Sequence, residues 1–159
     1  MDDFIKLSLL LDCDIKIVLV GLKEGNIKKL PSNVFGIPHT TNLEELCVLY
    51  SHAEVFVNPT WEDNFPTTNI EALACGTPVI TYNSGGSGEA IDSNTGFIVR
   101  KGDINGLLQS INKVRENGKE HYNKLCRERV MKYFNSQDRY LEYLSLYSEI
   151  AKTIKFIEE

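Results

Sequence analysis

Short runs of aliphatic and β-branched residues alternate along this chain with longer amphipathic patterns, and this alternation constrains the fold more than any other feature. Runs with so few polar positions are typical of parallel strands that are covered on both faces. The predicted strands are residues 14–20, 34–35, 55–57, 78–81 and 96–99. Because such strands alternate with helical patterns, the sequence predicts an α/β fold with one open, mostly parallel sheet flanked by helices.

The amphipathic patterns between these strands predict the helices. Most of them carry apolar residues every three to four positions, as the buried face of a helix does. They cover residues 2–11, 41–50, 67–75, 103–117, 119–133 and 136–156. Thr41 and Glu44 have the spacing of a capping box, which would open a helix with inward-facing Leu43, Leu46, Cys47 and Tyr50. The long C-terminal helix has an apolar stripe formed by Tyr140, Leu144, Tyr147, Ala151 and Ile154.

Size and composition place the chain among ordinary globular proteins. Its 159 residues suffice for a single domain, residues 1–159, and 42% of them are hydrophobic and 25% charged. The net charge of −5 argues against non-specific nucleic-acid binding, which requires a basic surface. The four cysteines form no Cys-x-x-Cys pair and are interpreted as reduced core thiols of a cytoplasmic protein: Cys13, Cys47, Cys75 and Cys126.

The most informative stretch covers residues 58–76, between two of the predicted strands. A polar, aromatic loop leads there into the helix at 67–75, which Gly76 and Pro78 end. A strand, a loop, a helix N-terminus and another strand form the arrangement in which α/β proteins bind phosphorylated ligands. Asp63 lies in the loop and Glu71 early in the helix, seven residues apart, so both can face one crevice.

The segment Asp63-x7-Glu71, continued as Glu71-Ala-Leu-Ala-Cys-Gly-Thr-Pro78, resembles the donor-site signature of glycosyltransferase family 4, the glycosyl transferases group 1. These are retaining enzymes that use nucleotide sugars and consist of two Rossmann-like domains. The resemblance implies that this chain is the second, donor-binding domain. Asp63 stands where the family usually has Glu, and Asn64-Phe65-Pro66 follows it as in the capsule and lipopolysaccharide members. A role in surface polysaccharide synthesis is therefore expected.

Glu71 has two interpretations that the sequence leaves open. By the resemblance, its carboxylate accepts hydrogen bonds from both ribose hydroxyls of the nucleotide, a bidentate role that suits an ionised acid. By local pattern, Thr68 and Glu71 have capping-box spacing, so the carboxylate would instead reach back to its own backbone.

Asp63 is the candidate catalytic residue. The resemblance implies that its carboxylate contacts the donor sugar and steadies the positive charge that develops at the anomeric carbon. The alternative is an exposed loop acid without a task, and its neighbour Glu62 shows how little the local sequence distinguishes the two.

The remaining candidates are donor-binding residues that the resemblance implies. Backbone N–H groups near Phe65, Thr67 and Thr68 would bind the diphosphate at the helix N-terminus, beside Asn64. Gly85 and Gly86 match a second glycine-rich turn that borders the donor pocket, although a plain connecting turn explains them as well. The loop formed by Gly36, Ile37 and Pro38 would bracket the nucleobase. The histidines and cysteines have no metal-ligand spacing, and neither a metal nor another cofactor is expected.

The resemblance also implies parts that this chain lacks. Family members precede the helix at residues 2–11 with a strand, an Arg and a Lys that clamp the diphosphate, and an N-terminal domain that binds a glycan or lipid-linked acceptor. We expect the isolated chain to be inactive, and any membrane association to come through the intact enzyme. Without that strand, residues 15–20 and 54–57 should either pair directly or be bridged in a homodimer. The alternatives are a nucleotide-binding module without transferase activity and a related epimerase, for which we find no acid–base set.

Overall fold

The computed structural model describes residues 1–158, with side chains for residues 1–152, and shows helices packed on parallel strands. The strands are β1 (Ile17–Val20), β2 (Val34–Ile37), β3 (Phe56–Asn58), β4 (Val79–Tyr82) and β5 (Gly96–Val99). The helices are α1 (Asp2–Ser8), α2 (Glu24–Ile27), α3 (Leu43–His52), α4 (Thr67–Ala74), α5 (Ile104–Asn117), α6 (Lys119–Tyr133) and α7 (Ser136–Glu158). The predicted α/β class with parallel strands is confirmed.

The strands form two sheets, so the prediction of one open sheet is wrong. β1 pairs with β2, and β3, β4 and β5 pair in that order, with every pair parallel. Within residues 1–158, no pairing joins β1 to β3, and the expected direct contact of these two strands is therefore absent. Each of them keeps one edge of backbone groups without a strand partner, because pairing on the other edge already uses the alternate residues.

The core lies on the three-stranded sheet. β4 is buried at all four positions, and the helices α4, α5 and α6 supply most of the remaining buried side chains. α5 places Leu107, Ile111 and Val114 in this core as predicted, while Leu108 lies at its border. The amphipathic pattern of α5 therefore does what its sequence predicts: one face of the helix covers the sheet.

Several predicted boundaries differ from the structure for local reasons. β1 begins at Ile17, because residues 12–15 form a turn in which the Ile15 N–H donates to the Asp12 carbonyl. That turn exposes Cys13, which is thus no core thiol. α1 ends at Ser8, before the predicted Leu11.

The cap of α3 lies one residue later than predicted. Asn42, and not Thr41, is the N-cap, and its side chain accepts the N–H of Glu45 at 2.8 Å. The Glu45 carboxylate in turn accepts the Thr41 N–H at 2.9 Å. This shift turns Leu43 outward, while Tyr50 is buried as predicted and Leu46 and Cys47 are half-buried.

The long helix α7 is present as predicted, but its apolar side chains are exposed. Tyr140, Leu144, Tyr147 and Ala151 all lie on the surface, and the Ile154 side chain falls outside the described residues. In residues 1–158, no helix combines the length and the apolar character that crossing a membrane requires.

Candidate functional site

The candidate site lies where β3 and β4 end, at the N-terminus of α4. Pro66 is the N-cap residue of α4 with a backbone φ of −70°, and it offers no side-chain cap. Thr67 and Thr68 are the first two residues of the helix and both are exposed. Their N–H groups precede the first intrahelical donors, so they are free to bind an acceptor from outside the helix. The helix entrance thus offers these two N–H groups to an acceptor, whereas the Phe65 N–H, which was predicted to join them, already donates to Asp63 Oδ1.

The C-terminal end of α4 fixes the helix against β4. The Thr77 N–H donates to the Ala72 carbonyl and the Gly76 N–H to the Leu73 carbonyl, the two bonds of a Schellman motif. Gly76 adopts a φ of +77°, which a glycine takes without steric cost. Pro78 and β4 follow immediately, so the helix entrance is held at a fixed distance from the sheet.

Asp63 and Asn64 lie directly against the turn formed by Gly85 and Gly86. The Gly86 N–H donates to the Asp63 carbonyl at 3.2 Å. A Cβ atom on Gly85 would lie 2.0 Å from the Asp63 carbonyl oxygen, and one on Gly86 would lie 1.9 Å from that of Asn64. Both positions therefore exclude any side chain. Two segments that the sequence marked separately are thus in direct contact.

The Asp63 carboxylate is half-buried and folds the loop locally. One of its oxygens, Oδ1, accepts the Phe65 N–H at 3.1 Å. A carboxylate that bonds the backbone two residues ahead forms an Asx turn, which sets the direction of the chain before Pro66. Within residues 1–152, no hydrogen bond to the second oxygen is found.

Glu71 takes part in no capping box, and that local alternative is wrong. Thr68 lies inside α4, since the helix already begins at Thr67, and so cannot cap it. The Glu71 carboxylate instead accepts the Tyr50 hydroxyl at 3.2 Å. Burial, and then the negative charge of Glu71, raise the pKa of Tyr50 far above its usual value. The phenol thus stays a hydrogen-bond donor to Glu71 at any neutral pH.

Asn69 is a structural residue of the site that sequence reasoning missed. It is fully buried on α4. Its Nδ2 donates to the Ser87 carbonyl at 2.9 Å, and its Oδ1 accepts Asn58 Nδ2 at 2.9 Å. One side chain thus joins the helix to the end of β3 and to the glycine-rich turn. The sequence feature that could have identified Asn69 is an amide side chain on the inward face of a short apolar helix.

Arg129 on α6 is a second residue that was missed. Its guanidinium donates to the carbonyls of Glu89 and Ala90 and to the Asp92 carboxylate, at 3.1, 2.7 and 2.7 Å. These bonds hold the chain just after Gly85 and Gly86 in place. Only the folded chain brings Arg129 near this turn, about 40 residues away in sequence, so no local pattern could reveal it.

Trp61 covers the loop at the edge of the site. Its Nε1 donates to Asp3 Oδ2 at 2.8 Å, and the Lys101 Nζ lies 5.1 Å from its ring centroid. Gly102 approaches the same ring. These contacts fix the indole as a bridge between α1 and the loop before α5.

The predicted nucleobase loop lies on the other sheet. Gly36 and Ile37 belong to β2 and are not loop residues, because β2 extends two residues past its predicted end. Only Pro38 follows the strand. Gly36 packs against Ile27 and Leu30. Among the described residues, no hydrogen bond joins residues 36–38 to the entrance of α4.

No group of three potential metal ligands occurs among the residues whose side chains are described. The site brings together backbone donors at a helix N-terminus, two carboxylates and a tightly packed glycine turn. Such a set suits an anionic ligand with hydroxyl groups.

The matching family model and the first matching curated relatives are all described as glycosyltransferases or related synthases. The family model described as "Glycosyl transferases group 1" matches residues 3–129. The capsular polysaccharide biosynthesis glycosyltransferase CapM of Staphylococcus aureus is 37% identical over 106 residues, which are 65% of this chain and 28% of that protein. This chain spans about a quarter of the length of the curated relatives that it matches first.

Solved structures share the fold. A sucrose-phosphate synthase from Thermosynechococcus elongatus superposes with a TM-score of 0.71 and 26% identity, over 96% of this chain and 49% of the other. HepE from Anabaena, solved in complex with UDP, has a TM-score of 0.71 and 16% identity, over 98% of this chain and 44% of the other. The second likeness is one of fold alone.

Proposed function

This chain belongs to the family of glycosyl transferases group 1, and we propose that it is the donor-binding half of a retaining glycosyltransferase that acts in surface polysaccharide synthesis. The proposed donor is a nucleoside-diphosphate sugar. CapM, a capsular polysaccharide glycosyltransferase, supports the pathway class.

The observation that carries the proposal is the contact between two predicted halves of the donor site. The Asp63–Asn64 loop packs on Gly85 and Gly86 so closely that no side chain fits between them. Both segments follow strands of one parallel sheet at their carboxyl ends, where open α/β sheets bind their ligands. The exposed N–H groups of Thr67 and Thr68 open onto the same edge.

The proposed roles follow from the charge of each group. The diphosphate lies at the N-terminus of α4, where backbone N–H groups and the helix dipole favour negative charge. The Glu71 carboxylate accepts the ribose hydroxyls, and the Tyr50 hydroxyl holds one of its oxygens in place. Asp63 faces the sugar and stabilises the positive charge at the anomeric carbon as the nucleoside diphosphate leaves.

Transfer requires more than these residues. An acceptor hydroxyl must be held against the anomeric carbon, and such positioning supplies a large part of the rate. We assign that task to an acceptor-binding domain for a glycan or lipid-linked acceptor, since this chain spans only about a quarter of CapM. The isolated chain is then expected to bind the donor without transferring its sugar. A cytoplasmic location fits a nucleotide-sugar donor, and any membrane contact would come through the intact enzyme.

Calorimetric titration of the chain with UDP, GDP and ADP tests this proposal. Glu71→Gln should weaken binding of the preferred nucleotide by about 10- to 100-fold, because a charge-assisted bidentate contact is lost. Thermal unfolding of the same variant should change by less than about 1 kcal/mol, since only one half-buried hydrogen bond is weakened.

Glu62→Gln is the matched control. Glu62 is an exposed acid in the same loop, next to Asp63, and its replacement should change neither affinity nor stability. The proposal is wrong if none of the three nucleotides binds at millimolar concentration, or if both variants lose affinity equally.

A further inference from the structure

Asp3 is a buried carboxylate with no part in the donor site as described so far. It is 6% exposed and lies on α1, outside the loop and the helix that form the site. Its Oδ2 accepts the Trp61 Nε1–H at 2.8 Å and the Tyr82 hydroxyl at 3.1 Å, while its Oδ1 lies 3.8 Å from the Lys6 Nζ. A buried carboxylate is costly unless hydrogen bonds satisfy it. The two donors to Oδ2 therefore hold the side chain in one position.

The two donors come from the segments that border the site. Tyr82 is the last residue of β4 and is fully buried. Trp61 lies in the loop at residues 59–66, which connects β3 to α4. Burial, and then the negative charge of Asp3, raise the pKa of Tyr82 far above its usual value, so the hydroxyl keeps its proton at neutral pH. One oxygen of Asp3 thus links this loop to the end of β4.

The loop at residues 59–66 lies alongside the turn that follows β4. The Trp61 carbonyl accepts the Ser84 hydroxyl at 2.8 Å, and the Asp63 carbonyl accepts the Gly86 N–H at 3.2 Å. Two residues of the loop, two positions apart, thus contact two residues of the turn with the same spacing. Trp61 is held at both ends, its carbonyl by the turn and its indole by α1, just two residues before Asp63.

Burial alone does not hold the indole. Trp61 is 56% exposed, so much of its surface gains nothing from packing. The Lys101 Nζ, 5.1 Å from the ring centroid, belongs to a flexible side chain and sets no direction for the ring. The hydrogen bond to Asp3 is directional and is made to a buried acceptor, and so it determines where the indole lies.

From these contacts we propose that Asp3 is a positioning residue of the donor site, which acts through Trp61 to hold the Asp63 carboxylate where it faces the donor sugar. This role rests on the proposed function, in which Asp63 contacts the sugar. Without the bond from Trp61 to Asp3, the loop loses its link to α1. The nucleotide is proposed to bind Glu71 and the entrance of α4, which lie outside this loop. Loss of the bond should therefore weaken binding of the sugar and spare binding of the nucleotide.

Solvent exchange of backbone amides, measured by NMR without ligand, tests the loop directly. Trp61→Phe keeps an aromatic ring at an exposed position but has no N–H to donate, so the fold should survive. The Gly86 N–H, which donates to the Asp63 carbonyl, should exchange at least about fivefold faster, because the loop opens more often. The Asn83 N–H, which donates to the Val99 carbonyl in β5, is the internal control and should not change.

Variants of Asp3 and Tyr82 separate positioning from stability. Asp3→Ala removes both accepted bonds and should speed Gly86 exchange as Trp61→Phe does. Asp3→Asn keeps a side-chain oxygen that can accept both donors and should restore most of the protection. Tyr82→Phe is the matched control, since it removes the other bond to the same oxygen and lies outside the loop. It should lower the melting temperature and leave Gly86 exchange unchanged.

Binding of donors provides the second arm. The probes are UDP, GDP and ADP with their glucose conjugates, and the readout is the dissociation constant of the conjugate divided by that of the free diphosphate. Asp63→Asn gives the reference for a lost sugar contact. Trp61→Phe should raise this ratio at least about threefold, because the sugar loses one hydrogen-bonding group, and should leave the affinity for the diphosphate unchanged.

The outcomes distinguish this role from the proposed function. Equal Gly86 exchange in the original chain and in Trp61→Phe would overturn the proposal, and so would an unchanged ratio in Trp61→Phe when Asp63→Asn raises it. An unchanged ratio in Asp63→Asn would instead contradict the role of Asp63 in the proposed function. If no diphosphate binds, the proposed function fails and the sugar role of Asp3 fails with it, whereas the exchange rates still show whether Asp3 holds the loop.

Discussion

The central strand β4 of the three-stranded sheet and the strands β1 and β2 of the other sheet are built from similar residues and are buried to very different degrees. In β4, Val79 and Ile80 are 0% exposed, whereas Val18 in β1 is 49% and Phe35 in β2 is 51% exposed. Composition does not explain the contrast, since both sheets are rich in valine and isoleucine. β4 has a strand on each side and helices over its faces, while β1 has one strand neighbour among the described residues. Burial here depends on neighbours, not on the strand's own sequence.

The residues of the proposed donor site are distributed over both sheets. The groups proposed for the diphosphate and the sugar follow strands of the three-stranded sheet, on which the core lies. The residues expected near the nucleobase, Gly36, Ile37 and Pro38, lie on or after β2 in the two-stranded sheet. Nucleotide binding would therefore span both sheets.

Amide exchange in the free chain should show the largest difference between the sheets. The Val79 N–H, bonded to the Thr95 carbonyl, should exchange only through global unfolding. The Ile17 N–H, bonded to the Asn33 carbonyl, should exchange through local opening of β1 from β2. We expect the two opening free energies to differ by at least about 3 kcal/mol. Equal protection of both amides would show that the sheets unfold as one unit and would contradict the predicted difference between them.

Matched valine truncations should give the next largest effect. Val79→Ala should lower the free energy of unfolding by about 2–3 kcal/mol, because two buried methyl groups and their packing are lost. Val18→Ala should lower it by less than about 0.5 kcal/mol, since that side chain is already half in solvent. Both changes replace the same side chain in a parallel strand, so the difference isolates burial. Chemical denaturation measures it, and similar losses would contradict the account.

The ion pairs of Arg115 should have the smallest effect. Arg115→Gln removes the cation that holds the starts of β1 and β3 but should cost no more than about 1 kcal/mol, because its partners are exposed. Added salt should shrink the difference. Arg139→Gln is the control, since its partner Glu142 lies on the same helix. A larger loss for the control than for Arg115→Gln would show that the sheets are joined by other contacts.

The sequence predicted helices and strands well where residues within or next to the element determine its limits. α6 occupies Lys119–Tyr133 and β5 occupies Gly96–Val99, as predicted, because periodicity and flanking glycines mark their limits. The end of α4 is also determined locally, by Gly76 directly after its C-cap residue. The N-cap of α3 lies one residue later than predicted. Thr41 with Glu44 and Asn42 with Glu45 both have capping-box spacing, and only the folded structure shows which pair is used.

Features that depend on contacts between residues far apart in sequence could not be predicted from local patterns. The lack of pairing between β1 and β3 within the described residues could not be predicted from the sequence of either strand. Glu71 had a plausible local partner in Thr68, but the fold brings Tyr50 to it from 21 residues away. The family signature correctly marked the Asp63 loop and the glycine turn, yet the Asn69 and Arg129 side chains that hold them appear only in three dimensions.

The account rests on donor binding at the carboxyl edge of the three-stranded sheet, and heteronuclear correlation spectra with the preferred nucleoside diphosphate test it most directly. The amides of Phe65, Thr67, Thr68 and Gly86 should shift most, and at a ligand concentration below saturation these shifts should be several-fold smaller in Glu71→Gln. Saturable shifts that spare these four amides and cluster on α7 or on the outer edge of β5 would contradict it.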